Sequence, residues 1–299
     1  MKNIRPSLEY KNVDKKHAFS VEKAFFIGPI SIWMIIFMAV PILYIVFISF
    51  LQRGVNGGID FTFSLDNYKR IVSPLYFKIF FDSLYIAFIT TLCALILGYP
   101  FAYFVAKIPK RLRIFTVMLV IIPFWTNSLI RTYAWMVLMS TGGIINNLFI
   151  KFGVIKQPLK MLYTYGAVLI GMIYTLFPFM VLPLYTSIEK IEEIYIDAAK
   201  DLGASSLKAF LTITLPLSMP GIISGCILVF MPSLGLFYIC DLMGGSKVML
   251  IGNLIRNQFL SSRDWPFGAA ISIFMIIATL LIVVVGVKLA GKKMDLEVF

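Results

Sequence analysis

The chain has 299 residues, a mean hydropathy of +0.90 and only 14% charged residues. About a quarter of the residues in an ordinary soluble domain are charged, so this composition excludes that class and indicates an integral membrane protein. The formal net charge of +12 would suit nucleic-acid binding, but basic loops beside anionic lipid headgroups explain it without a nucleic-acid partner.

Six long uncharged stretches predict membrane-spanning helices. A helix needs about 20 apolar residues to cross the hydrocarbon core of a bilayer, and each stretch is near that length or longer. In chain order the stretches are Phe25–Leu51, Ser83–Ala106, Ile114–Ile130, Met161–Ile188, Ala209–Cys240 and Trp265–Val287. The first has no small-residue cleavage site, so we interpret it as an anchor and not as a removable signal peptide.

A further uncharged run, Thr132–Ile150, contains two glycines and two asparagines. These residues interrupt helices, so we predict a short helix and a loop at the membrane surface. The predicted fold class is therefore an all-α integral membrane protein, with a six-span domain over residues 25–290.

The distribution of Lys and Arg orients the predicted spans, because cytoplasmic loops carry an excess of these residues. More than half of the 27 Lys and Arg residues lie in the N-terminal tail, in the loops after the second and fourth spans, and near the C-terminus. We therefore predict that the basic tail at residues 1–24, the loop at 186–210 and the C-terminus at 291–299 are all cytoplasmic.

The sequence lacks the residue patterns that are typical of a metal or nucleotide site. Cys93, Cys226 and Cys240 lie in apolar surroundings without CxxC spacing, and His17 is the only histidine. The segment 244–247, Gly-Gly-Ser-Lys, lacks the GxxxxGK[ST] spacing of a phosphate-binding loop. We therefore predict that the chain itself binds no metal and no cofactor.

The loop between the fourth and fifth spans has an amphipathic pattern. Apolar residues recur at three- and four-residue steps from Ile188 to Leu202, which predicts a short helix. Gly203 then provides a left-handed stop, and Ser205 can cap a second helix. Five acidic residues between Glu189 and Asp201 would face an anionic lipid surface unfavourably, so a protein partner fits this loop better.

This loop resembles the EAA loop of ABC-type importer permeases. The matching residues are Asp197, Ala198, Ala199, Gly203, Ile213, Leu215 and Pro216. Asp197 stands where the pattern usually has Glu, which keeps the charge on a shorter side chain. The resemblance implies a type I permease whose cytoplasmic coupling helix contacts a separate ATPase subunit, and ATP and Mg bind to that partner.

Other segments resemble the permeases of spermidine/putrescine importers. They are Leu97–Pro100, Pro123–Tyr133, Pro232–Gly235, Asp241–Gly245, Ile251–Asn253 and Arg263–Gly268. The resemblance covers roughly residues 25–290. It implies a permease of the bacterial cytoplasmic membrane that works with a second similar permease, two ATPase subunits and an extracytoplasmic polyamine-binding protein.

Two other functions remain open from the sequence. One is an importer of the same class for another solute, such as an oxyanion, ferric iron or thiamine. The other is an ATP-independent channel or secondary transporter, but the predicted spans offer few of the ionisable groups that such proteins use.

A polyamine carries several ammonium groups on a methylene chain, so its site needs carboxylates and aromatic faces. Phe237, Tyr238 and Asp241 follow one another at the end of the fifth predicted span, and with Trp125 they are our predicted substrate-pathway residues. The alternative for Asp241 is a solvated carboxylate in an outer loop. For the aromatic residues it is packing, which is common at the membrane interface.

The fifth span has further features of a pathway wall. Gly221 and Gly225 have GxxxG spacing, which allows a neighbouring helix to approach closely. Pro216, Pro220 and Pro232 remove backbone hydrogen bonds, and membrane helices tolerate this where they line a cavity or pack against protein.

Four charged residues elsewhere have simpler interpretations. We expect Asp82 to cap the second span and Arg131 to pair with an acidic residue or a lipid phosphate. Arg256 and Lys247 are expected to contact an acidic docking surface.

Overall fold

The computed structural model describes residues 21–55 and 57–296. Most of the predicted basic tail and the last three residues therefore lie outside the described residues. The chain divides into two compact units, Met1–Phe47 and Ile48–Phe299.

The first unit contains α1, Val21–Met34, a π-helical turn at Ile35–Ala39, and most of α2, Val40–Ser49. Pro41 cannot donate a hydrogen bond to the helix, and the irregular turn lies directly before it. The segment is long and apolar enough to span a membrane from Ile27 to Ser49, as predicted for the first span.

The second unit begins with a two-stranded antiparallel hairpin of β1, Leu51–Arg53, and β2, Ile59–Phe63. The all-α prediction did not include this hairpin. Its turn uses Gly57 and Gly58, which both have positive φ. The Gly58 amide donates to the carbonyl of Arg263 at 2.8 Å, so the hairpin lies on the loop near residue 263.

The remaining helices of the second unit, in chain order, are α3 Asp66–Ile71, α4 Pro74–Lys107, α5 Lys110–Ile121, α6 Ser128–Met139, α7 Ile144–Lys151, α8 Tyr165–Glu189, α9 Glu193–Asp201, α10 Ser206–Ala209, α11 Leu215–Gly235, α12 Phe237–Ile239, α13 Ile251–Leu260 and α14 Trp265–Leu296. A 3-10 helix, Ile122–Trp125, follows α5. Two π-helical segments, Phe210–Thr214 and Cys240–Gly244, precede α11 and follow α12.

Six candidate spans are present in the described part of the chain, which agrees with the predicted number and helical class. They are Ile27–Ser49, Pro74–Lys107, Ser128–Lys151, Tyr165–Glu189, Ser206–Gly235 and Trp265–Gly286.

The third predicted span, Ile114–Ile130, is wrong in its boundaries. Its α-helix ends at Ile121, Pro123 lies in the 3-10 helix, and the Asn127 side chain accepts from the Leu129 amide and so caps a new helix. A proline and a helix-capping residue interrupt a run that is uniformly uncharged. The segment that we predicted to be a surface helix and loop instead forms α6 and α7 and is the third candidate span.

The core of the second unit is centred on α8, which packs between α4 and α11. Leu176, Met180 and Leu184 of α8 are buried there against Ala102 of α4 and Val229 of α11. The predicted close approach at Gly221 and Gly225 is confirmed, and the neighbouring helix is α8. A Cβ added to Gly221 would lie 2.6 Å from the Pro183 carbonyl oxygen and 2.5 Å from the Ser187 Cβ.

Gly221→Ala is expected to lower the free energy of unfolding by about 2 kcal/mol, because the added methyl group overpacks a contact with rigid backbone. The thermal unfolding midpoint of the detergent-solubilised protein would measure this loss. Gly235→Ala is the matched control in the same helix, because a Cβ at Gly235 meets nothing within 4 Å. Equal midpoints for the two variants would contradict the close packing of α8 and α11.

Candidate functional site

The two ends of α4 define the two sides of the helical unit. Its 34 residues extend over about 50 Å, more than the thickness of a bilayer. At its C-terminal end, Lys107 Nζ lies 2.9 Å from Glu193 Oε1. The loop after α4 therefore lies on the same side as α9, which agrees with the placement of both loops on one face of the membrane.

The predicted helix, bend and helix between the fourth and fifth spans are present. We call residues 186–210 the connector. Its first helix, α9, ends at Asp201, and Gly203 has φ +83°. The Gly203 and Ala204 amides close the helix by donating to carbonyls within α9, at 2.8 and 2.9 Å. Ser205 Oγ accepts from the Lys208 amide at 3.3 Å and so caps α10.

The other residues of the EAA pattern lie in and just after the connector. Asp197, Ala198 and Ala199 are in α9. Ile213 lies in the π-helical segment before α11, and Leu215 and Pro216 are the first two residues of α11. The pattern therefore extends from the first helix of the connector to the start of the fifth span.

The first helix of the connector exposes apolar side chains. None of the residues in α9 is buried. Ile194 and Tyr195 are 66% and 52% exposed, and Leu202, just after the helix, is 90% exposed. The hydrogen bond and the charge of the Lys107 ammonium group lower the pKa of Glu193. Exposed apolar groups among acidic ones, outside the candidate spans, are typical of a protein-binding surface.

Arg113 fixes the base of the connector. Its guanidinium lies 2.6 Å from Glu189 Oε1 and donates to the carbonyl oxygens of Ala106 and Ile108 at 2.7 and 3.3 Å. One side chain therefore joins the ends of α4 and α8 to the start of α5. Movement of the connector is tied to these helices.

A second group of polar and aromatic residues lies towards the opposite end of α4. We call Phe237, Asp241, Asn253 and Arg256 the outer cluster. The Ser83 hydroxyl oxygen, near the N-terminal end of α4, accepts from the amide of Ile251, the first residue of α13. The helix that carries Asn253 and Arg256 is thereby fixed on the side away from the connector.

Asp241 is the centre of the outer cluster. Arg256 donates to its Oδ2 at 2.6 Å, and the Asn253 side-chain amide donates to its Oδ1. The Arg256 guanidinium also lies 5.5 Å from the centroid of the Phe237 ring, within the range of a cation–π contact. Asn253 donates a further hydrogen bond to the Phe237 carbonyl at 3.0 Å.

The structure brings only some of the predicted pathway residues together. Phe237 and Asp241 share the outer cluster, and the Tyr238 ring lies 6.3 Å from the Phe237 ring but also packs against a buried apolar core. Trp125 ends the 3-10 helix and is 83% exposed. Among the described residues it makes no hydrogen bond or ring contact with the outer cluster.

The sequence interpretation missed Asn253 and the pairing of Arg256 with Asp241. The expected contact of Arg256 with an acidic docking surface stays a prediction. Asn253 and Arg256 are three residues apart in the sequence, which places both side chains on one face of a helix. This spacing could have indicated that they belong to one site. Lys247, the other basic residue of that expectation, is exposed.

Asp82 does not cap a helix. The second span begins at Pro74, which suits the first turn of a helix because proline has no amide hydrogen to satisfy there. Asp82 therefore lies within α4, and its predicted capping role is wrong.

Arg131 lies in the first turn of α6 and faces aromatic rings. Its guanidinium is 4.8 Å from the Phe124 centroid and 5.9 Å from the Tyr174 centroid. It lines a largely apolar cavity of about 450 Å³. No acidic side chain pairs with it within the described residues, so its predicted pairing with an acid has no partner there.

Comparison with known proteins adds sequence relatives. Residues 94–291 match the protein family described as "Binding-protein-dependent transport system inner membrane component". The chain is 50% identical over 268 residues to the spermidine/putrescine transport system permease protein PotB of Escherichia coli (strain K12), covering 89% of this chain and 98% of that protein. It is 43% identical to the corresponding protein of Haemophilus influenzae, covering 89% and 94%.

Solved structures are similar in fold. A bacterial alginate ABC transporter, crystallised in complex with its alginate pentasaccharide-bound periplasmic protein, contains a chain that matches with a TM-score of 0.75 and 16% identity. The match covers 92% of this chain and 96% of that one. A second alginate importer structure gives a TM-score of 0.74 at 17% identity, covering 91% and 97%.

Proposed function

Since the chain belongs to the family of binding-protein-dependent transport system inner membrane components, we propose that it is the permease subunit of an ATP-driven importer of spermidine and putrescine. The observation that carries this conclusion is the 50% identity, over 89% of the chain, to a spermidine/putrescine permease. The chain is a multi-pass protein of the bacterial inner membrane. It is not an enzyme, and it forms part of the route that the solute takes.

The connector transmits force from a separate ATPase subunit. The exposed Ile194, Tyr195 and Leu202 provide an apolar surface for that partner, and Asp197 lies on the same short helix. ATP and Mg bind to the ATPase. Closure of two ATPase subunits moves the connector as a rigid body, and the contacts of Arg113 and Lys107 carry this movement to the spans. In this proposal the connector and both termini lie in the cytoplasm.

The substrate route passes the outer cluster. Asp241 provides a carboxylate and Phe237 an aromatic face, while Tyr238 and Trp125 line the route at other points. Carboxylates and aromatic rings match the ammonium groups and methylene chain of a polyamine. A second, similar permease completes the route, and an extracytoplasmic binding protein captures the polyamine and delivers it.

Uptake by the reconstituted transporter tests this function. Proteoliposomes that contain the chain, the second permease, the ATPase and the binding protein are expected to accumulate labelled spermidine with ATP but not with a non-hydrolysable analogue. Liposomes with this chain alone are the control and are expected to show no uptake. Uptake by the chain alone would instead indicate a channel or secondary transporter.

A thermal shift of the binding protein tests the cargo independently. We expect spermidine or putrescine to raise its unfolding midpoint, because a ligand that binds only the folded state stabilises that state. Stabilisation by sulfate, ferric iron or thiamine, without any response to polyamines, would contradict the assignment.

A further inference from the structure

The outer cluster already contains a cation, and that cation belongs to the chain itself. The Arg256 guanidinium donates to a carboxylate oxygen of Asp241 at 2.6 Å and lies over the Phe237 ring at 5.5 Å. A carboxylate and an aromatic face are the two contacts expected for the ammonium group of a polyamine. Arg256 therefore makes the contacts that a substrate cation would make.

We propose that Arg256 occupies an ammonium subsite of the transport route and that a substrate ammonium group must displace it from Asp241. This inference rests on the proposed function and extends it by identifying Arg256 as a competing internal cation. Arg256 is then a specificity-determining residue.

The geometry allows this exchange. The side chains of Arg256 and Asp241 are 41% and 33% exposed, so a solute can reach the pair and the displaced guanidinium can turn towards water. Asn253 is 3% exposed and holds Oδ1 of Asp241 independently of Arg256. The carboxylate therefore stays in position when Arg256 leaves. Because the substrate ammonium group replaces the guanidinium, Asp241 always has a cation beside it. An unpaired charge would be unfavourable in a partly buried site.

Asn253 has one polar atom without a partner. Its Oδ1 is buried and has no hydrogen-bond partner among the described residues. Buried polar atoms are normally hydrogen-bonded, so the polar groups of the outer cluster are not all satisfied within the described residues. The contacts that the subsite offers to a cation are the Asp241 carboxylate and the Phe237 ring.

The competition also selects the class of substrate. A monoamine exchanges one cation contact for another and gains little. A linear diamine or polyamine places a second ammonium group elsewhere along the route, and the two tethered contacts together outweigh the single contact of Arg256. The subsite is therefore selective for amines that carry two or more charges.

Single and double variants of the pair test the proposal in the complete reconstituted transporter. Asp241→Asn is expected to reduce spermidine uptake about tenfold, since one contact with a charged group is lost. Arg256→Gln is expected to keep at least the wild-type rate, because it removes a competitor. The double variant is expected to be as slow as Asp241→Asn. Assembly of the complex is measured alongside, so that a change in uptake is compared only between transporters that contain all subunits.

If the ion pair were purely structural, the uptake rates of the variants would rank differently. Arg256→Gln would then lower spermidine uptake as much as Asp241→Asn does, or the double variant would regain the wild-type uptake rate. Either result overturns the inference. Lys247→Gln is the control for loss of one positive charge outside the ion pair. If the Arg256→Gln variant fails to assemble, Arg256→Lys replaces it, and uptake below one third of the wild-type rate contradicts the proposal.

The failure of this inference can be distinguished from the failure of the proposed function. If the wild-type transporter carries no polyamine, both are overturned. If the wild-type transporter carries polyamines but the uptake rates of the variants rank differently, only the role of Arg256 is overturned.

Discussion

Gly203→Val is expected to lower ATP-dependent uptake about thirtyfold while the permease still folds and inserts. Gly203 has φ +83°, and a left-handed conformation costs a residue with a Cβ about 1–2 kcal/mol, with β-branched residues at the upper end. This range corresponds to a factor of about 5–30 in an equilibrium. A Cβ at this position meets nothing within 4 Å, so the strain lies in the backbone and not in packing.

The connector can relieve that strain only by changing the angle between α9 and α10. The surface offered to the ATPase would then be misdirected, so ATP hydrolysis is expected to continue while uptake falls. Both rates are measured on the same proteoliposomes. Gly203→Asn is the matched control, because asparagine tolerates the left-handed region, and its uptake is expected to stay within about threefold of wild type. Normal uptake by the valine variant would show that the bend does not transmit force.

The bend was predictable because its signals are local. A glycine and a serine two positions apart determine where one helix ends and the next begins, through hydrogen bonds within a few residues. The start of α9 was less predictable. The apolar periodicity predicted a helix from Ile188, but α8 continues to Glu189 and α9 begins only at Glu193. The apolar residues keep the same spacing across the gap between these two helices, so the pattern did not show where one ends and the other begins.

The outer cluster was only partly predictable. Phe237 and Asp241 are close in sequence, so their association with one site follows from composition and spacing. Arg256 is fifteen positions from Asp241 on another helix, and a contact of that kind depends on how the π-helical segment Cys240–Gly244 packs against α13. The prediction of the third span was wrong for a related reason. Absence of charge indicates that a segment can enter the membrane, but it does not locate a break such as that between Pro123 and Asn127.

Arg113→Ala is expected to lower the free energy of unfolding by about 3 kcal/mol. The last carbonyl groups of a helix have no partner within it, and Arg113 supplies donors to Ala106 and Ile108 at the end of α4. Each part-buried carbonyl that loses its donor costs about 1–3 kcal/mol. The contact with Glu189 adds less, because that carboxylate is 39% exposed and screened by water.

The loss is expected to appear as a lower thermal unfolding midpoint of the purified permease and as weaker coupling of ATP hydrolysis to uptake, since the same side chain joins the connector to α4. Arg111→Ala is the matched control. It removes the same residue type from the same helix, but Arg111 is exposed and has no ion pair within the described residues. If both variants unfolded at the wild-type temperature, Arg113 would not fix the base of the connector. A drop in midpoint with intact coupling would separate its structural role from force transmission, because the ion pair of Lys107 with Glu193 would then be a sufficient link to α4.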